Sequence, residues 1–199
     1  MDLLENLVKE YISQNELDQA DRAEMERLAS GELQPTLPDA LLAEDETPKV
    51  VAVDVNQAMV EGMQDIRTAL SGMKLPAKIK LAMFGNSVCR SLLIMDTNRM
   101  VQQFVLRNPR LRLSEVEEFA KNSSMADNVL RSIADSRDWM KSYSLKYSIV
   151  TNPRTPGDVA LKWLRYINPP ELKKISKSKS IPQLIAVTAK RRLMDMESA

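Results

Sequence analysis

From about residue 72 onward the chain is a series of short apolar stripes, each cut off by turn-forming residues before it grows long. Pro76 precedes Ile79, Ala82 and Met83; Gly85-Asn86 ends that stretch; Val88, Cys89, Leu92 and Leu93 follow. Asn98 precedes Met100, Val101, Phe104 and Val105, and Asn108-Pro109 stops them. Further on, Val116 with Phe119, Val129 with Ile133, Leu145 with Ile149, Leu161 with Leu164, Leu172 with Ile175, and Ile185 with Ala189 repeat the spacing. Apolar residues three and four apart mark one face of a helix. Asparagine caps helix starts, and proline opens a helix or ends the one before it. Helices this short are marginal alone in water, so each must bury its stripe against neighbours. The expected fold is therefore all-α: a short α-solenoid of stacked small helices.

Before that region the texture differs. Leu3, Leu4, Leu7, Val8, Tyr11 and Ile12 predict an amphipathic helix over 3–13, and residues 17–30 a second with a weaker face at Leu17, Ala20 and Leu28, closed by Gly31. Residues 1–30 are read as an acidic helical arm. Pro35, Pro38 and Pro48 beside Glu44-Asp45-Glu46 make 31–55 a linker, with a short extended piece at Val50–Val55. The helical repeat domain is expected over 56–199, opening at Asn56 with Met59, Met63, Ile66 and Leu70.

The punctuation repeats. Val105-Leu106-Arg107-Asn108-Pro109-Arg110 matches Ile149-Val150-Thr151-Asn152-Pro153-Arg154 at an offset of 44. Beyond it, residues 114–121 match 170–177 at an offset of 56, with Met125 meeting Ile181. A duplicated unit with a 12-residue insertion accounts for both, the insertion being the helix from Asp158 to Ile167. Asn122-Ser123 echoes Asn108-Pro109 fourteen residues on. Ser114 with Glu117 reads as a capping box, and Asp158 as a cap in the other copy.

On these turns and small capped helices, residues 75–193 resemble variant leucine-rich repeats and HEAT-like repeats. The resemblance implies a curved right-handed stack. Some variant leucine-rich-repeat proteins carry a cysteine-rich iron–sulfur module, which Cys89 alone cannot supply, so no cofactor is carried over. The segment is also similar to an uncharacterised group of bacterial proteins, a likeness that implies no activity.

Composition narrows the chemistry. With no histidine and one cysteine, Ser-His and Cys-His triads, histidine zinc sites and cysteine-bound clusters cannot form within the chain. No glycine-rich phosphate loop is present among five scattered glycines. The expectation is a protein without catalytic, metal or cofactor residues. An acidic start without a basic signal, no run long enough to span a bilayer, and the lone cysteine predict a cytoplasmic chain without membrane insertion. Cys89, on an apolar face, reads as a buried small hydrophobe, and most of the 12 methionines as core filling.

Charge is split. Residues 1–70 hold 5 Lys/Arg against 16 Asp/Glu, net −11; residues 71–199 hold 23 against 11, net +12. One half is thus suited to an oppositely charged partner, which includes the other half. The basic clusters Arg107, Arg110, Arg112 and Lys173, Lys174, Lys177 fall on equivalent turns of the two copies and are the candidate partner-binding residues. The first expectation is a non-enzymatic protein–protein scaffold or adaptor. The alternative is nucleic-acid binding by the same basic edge, with Trp139 and Trp163 stacking on bases.

Overall fold

The computed structural model describes residues 3–14, 19–32 and 67–197, and every regular element among them is helical. The fold is all-α. The chain divides into two compact units, Met1–Arg110 and Leu111–Ala199. The expected linker over 31–55, the extended piece at Val50–Val55 and the start at Asn56 lie outside the described residues, save 31 and 32.

In the first unit, α1 (Leu3–Gln14) packs on α2 (Gln19–Ala29). Val8, Tyr11, Met25 and Leu28 are buried, so Met25 takes the place expected of Ala20, which is exposed. Gly31 has φ +77, the left-handed conformation that glycine adopts without a Cβ penalty after a helix. Residues 67–72 are helical and Leu70 is buried. Then come α3 (Leu75–Phe84), α4 (Ser87–Leu93) and α5 (Arg99–Leu106). Pro76 sits in the first turn of α3; Asn86 and Asn98 cap α4 and α5 by accepting the amides of Cys89 and Met100 at 3.0 and 2.8 Å. The first and third of these helices pack together, and Tyr11 of α1 meets the Phe104 ring at 5.5 Å.

Gly85 joins α3 to α4 where there is no room for a side chain. A Cβ there would lie 2.5 Å from the Leu81 carbonyl oxygen and 2.9 Å from Cys89 Cβ. Both neighbours are fixed by buried helices, so Gly85→Ala is expected to destabilise the first unit by about 2 kcal/mol, read as a lower melting temperature by circular dichroism.

The second unit holds α6 (Leu113–Lys121), α7 (Asp127–Asp135), a 3₁₀ turn (Trp139–Lys141), α8 (Tyr143–Thr151), α9 (Gly157–Leu164), α10 (Pro169–Lys177) and α11 (Gln183–Glu197). Helix α6 packs on α8, α8 on α9, α9 on α11, and α10 on α11. One core cluster gathers Val150, Leu164, Leu172, Ile175, Ile181 and Ile185, with Tyr147, Trp163 and Leu193 against it. The residues paired by the offset of 56 are buried alike: Val116 with Leu172, Phe119 with Ile175, Met125 with Ile181. The extra helix between them is α9.

Two start signals differ from expectation. Helix α6 begins at Leu113, and the reach-back hydrogen bond comes from Glu115, whose carboxylate accepts the Arg112 amide at 2.9 Å. Ser114 lies inside the first turn, and Glu117 instead accepts the hydroxyls of Ser142 and Ser144. Likewise α9 begins at Gly157, so Asp158 is a first-turn residue, and its carboxylate accepts from Arg131 at 2.7 and 3.0 Å. In each case the carboxylate accepts from side chains of another segment, Glu117 from Ser142 and Ser144 and Asp158 from Arg131.

The asparagine turns carry a device that the repeat hinted at. Asn108 is buried; its amide donates to the Ala82 carbonyl in α3 at 2.7 Å while its Oδ1 accepts the Arg110 amide at 2.8 Å. Asn152 is buried too; its amide donates to the carbonyls of Ala120 and Asn122 at 2.7 and 2.9 Å, and its Oδ1 accepts the Arg154 amide at 2.9 Å. Each side chain shapes its own turn and ties the helix before it to a helix earlier in the same unit. Asn122 makes the turn bond to Ser124 but is exposed.

Candidate functional site

The six candidate residues fall in both units. Arg107 and Arg110 close the first. Arg110 is exposed, but Arg107 is half-buried, with its guanidinium carbon 6.0 Å from the centre of the Tyr11 ring and Nη1 buried without a hydrogen-bond partner. Burial raises the Tyr11 phenol above its ordinary pKa, and Arg107 partly offsets that rise. Arg112, Lys173, Lys174 and Lys177 are exposed in the second unit, the three lysines together on α10.

Charge is one-sided over one stretch of the second unit. Between Trp139 and Met194 stand twelve Lys/Arg and two Asp/Glu. Both carboxylates are engaged: Asp158 by Arg131, and Glu171 by the hydroxyl of Tyr143. The two-point hydrogen bond from Arg131 holds Asp158 below the usual carboxylate range. Burial first, then the bond to Glu171, raises Tyr143, whose oxygen also accepts the Asn168 amide at 3.0 Å. Of the twelve cations, Lys141, Arg154 and Lys162 face Asp138, Asp127 and Asp135. The other nine, among them Lys146, Arg165, Lys173, Lys174 and Lys177, have no carboxylate within ion-pairing distance among the described residues.

Two features lie beside this charge. Helix α11 leaves Leu184, Val187 and Met194 exposed by 58%, 58% and 54%, far more than its buried Ile185 and Ala189. The three fall on one face at i, i+3 and i+10, with Arg191 and the exposed Asp195 in the same row and Lys190 adjoining it. The second feature is Tyr166, just past α9 and 51% exposed, with its ring 5.4 Å from that of Trp163. Sequence reasoning singled out Trp163 and missed Tyr166, because an aromatic just beyond a helix adds nothing to its periodicity.

Two clefts among the described residues do not gather reactive groups. A cleft of about 420 Å³ in the first unit is lined by Lys78 and Asp96, but these two pair with each other at 2.8 Å. A smaller one, about 240 Å³, lies in the second unit between Tyr147, Thr151, Lys174, Ser178 and Ser180. Among the described residues no three His, Cys, Asp or Glu side chains are grouped as metal ligands would be, and no helix is long and apolar enough to cross a membrane. Cys89 is fully buried. No protein-family model matches the chain, and neither a curated protein nor a solved structure does.

Proposed function

We propose that the chain is a non-enzymatic, cytoplasmic interaction scaffold whose second unit holds an acidic protein partner. The observation that carries this reading is the face of α11, where Leu184, Val187 and Met194 lie open beside Lys190 and Arg191. Apolar side chains this exposed in one row are suited to the apolar stripe of a partner helix, and the cations beside them favour one with acidic flanks. The lysines of α10 and Arg112, in the same unit, add to the positive charge that such a partner would meet. The matched asparagine ties and the burial shared at the offset of 56 support a short solenoid of the variant leucine-rich-repeat or HEAT-like kind.

Reversing the four exposed candidates of the second unit together (Arg112, Lys173, Lys174 and Lys177 to glutamate) is expected to weaken capture of acidic proteins from cell extract at least tenfold. Arg107 is left in place because its side chain is packed on Tyr11. An unchanged set and amount of captured proteins would remove these residues from the contact. Nucleic-acid binding is the second reading, and the observation that favours it is the exposed ring of Tyr166.

A further inference from the structure

The surroundings of Tyr166 are those of a ring held in place rather than one left over. Trp163 packs on the core and meets Tyr166 at an interplanar angle of 44°. Lys146 Nζ lies 5.7 Å and the Arg165 guanidinium carbon 5.6 Å from the centre of the tyrosine ring, and Lys162 Nζ lies 5.6 Å from that of Trp163. Neither Lys146 nor Arg165 is neutralised by a carboxylate among the described residues. Next to Lys146 on α8, Tyr147 forms the wall of the 240 Å³ cleft, with Lys174, Ser178 and Ser180 also lining it. Two cationic groups, Lys146 and Arg165, thus stand at the exposed ring, and a third, Lys174, lines the cleft walled by the neighbouring Tyr147.

We propose that Tyr166 is a base-stacking platform in a site for single-stranded nucleic acid, with Lys146, Arg165 and Lys174 holding phosphates. An acidic peptide would use the cations but offers the ring a flat group only where it carries an aromatic residue, whereas every nucleotide of a single strand carries one. A duplex keeps its base faces inside its own stack, so of the two nucleic-acid forms the single strand uses both features. This inference rests on the nucleic-acid reading and is independent of the α11 face.

The test is fluorescence anisotropy of the full chain with a labelled oligothymidine of about 16 nucleotides, and with a duplex of the same length, at salt from about 50 to 200 mM. The single strand is expected to bind more tightly than the duplex, with affinity falling steeply as salt rises. Tyr166→Ala should weaken binding about tenfold and leave the salt slope unchanged, while Tyr166→Phe retains it. Lys146→Ala with Arg165→Ala should lower the slope by about 1 to 2. Oligonucleotide binding that Tyr166→Ala leaves intact would overturn the platform while sparing the nucleic-acid reading. Absence of binding at the lowest salt, or displacement by polyglutamate as readily as by unlabelled oligothymidine, would overturn the nucleic-acid reading itself and leave the acidic protein.

Discussion

Asn152→Ala is expected to destabilise the second unit by about 3 kcal/mol, whereas Asn122→Ala costs about 0.5 kcal/mol. The contrast comes from burial. Removing the Asn152 side chain leaves the buried Ala120 carbonyl without this donor, in a packed core where water does not replace it easily, and removes the bond to the Arg154 amide; the Asn122 carbonyl loses one of two donors and keeps the Met125 amide at 3.1 Å. The Asn122 side chain is exposed, and water can take over the bond to the Ser124 amide. Asn152→Asp separates the two jobs of the residue. Aspartate still accepts from Arg154 but cannot donate to the two carbonyls, and it sets a negative charge against them, so it should destabilise at least as much as alanine. Both tryptophans, Trp139 and Trp163, lie in the second unit, so urea unfolding followed by their fluorescence reports on that unit. Rescue by aspartate would show that the turn alone matters and that the tie between α8 and α6 does not.

The second large effect concerns binding rather than stability. Leu184→Glu with Val187→Glu is expected to weaken partner binding by more than a hundredfold while the melting temperature stays within about 2 °C of the parent chain. Each side chain is more than half exposed, so folding gains little from it, and charges there cost the folded chain little. A partner helix that buries the row would instead have to desolvate two carboxylates against its apolar stripe, and would lose two anchors besides. The same carboxylates repel the acidic flanks proposed for that helix. Isothermal titration with the purified partner measures the loss. A drop of less than about threefold would place the partner elsewhere.

Much of the helical layout was legible because it rests on residues with few other uses. Pro76 and Pro169-Pro170 can open a helix but not continue one, and Asn98 bonds the amide that it was expected to cap. The offset of 44 marked Asn108 and Asn152 as equivalent. Their buried carbonyl partners could not be foreseen, since Ala82 and Ala120 are distant in sequence and carry no signal in their side chains. Ser114 and Asp158 were misplaced as caps because several polar residues near a helix start can serve, and tertiary neighbours decide among them. Nothing in the pattern marks Arg90, beside Cys89, as a core residue; it is fully buried, and Nη1 donates to the Gly85 carbonyl at 3.0 Å. The basic character of α10 was plain from its lysines. Which cations stay unpaired depends on where Asp127, Asp135 and Asp138 fall in the fold, and charge counting does not supply that.

The most direct measurement is photo-crosslinking in the native cells, with a photoreactive amino acid replacing Val187 on α11 and, as a control, Glu118 on α6. Both positions are exposed. The account predicts a discrete protein adduct from position 187, none from position 118, and loss of the adduct when Lys190 and Arg191 are changed to glutamate. Adducts of equal yield from both positions, or an adduct at 187 indifferent to those two charges, would contradict it.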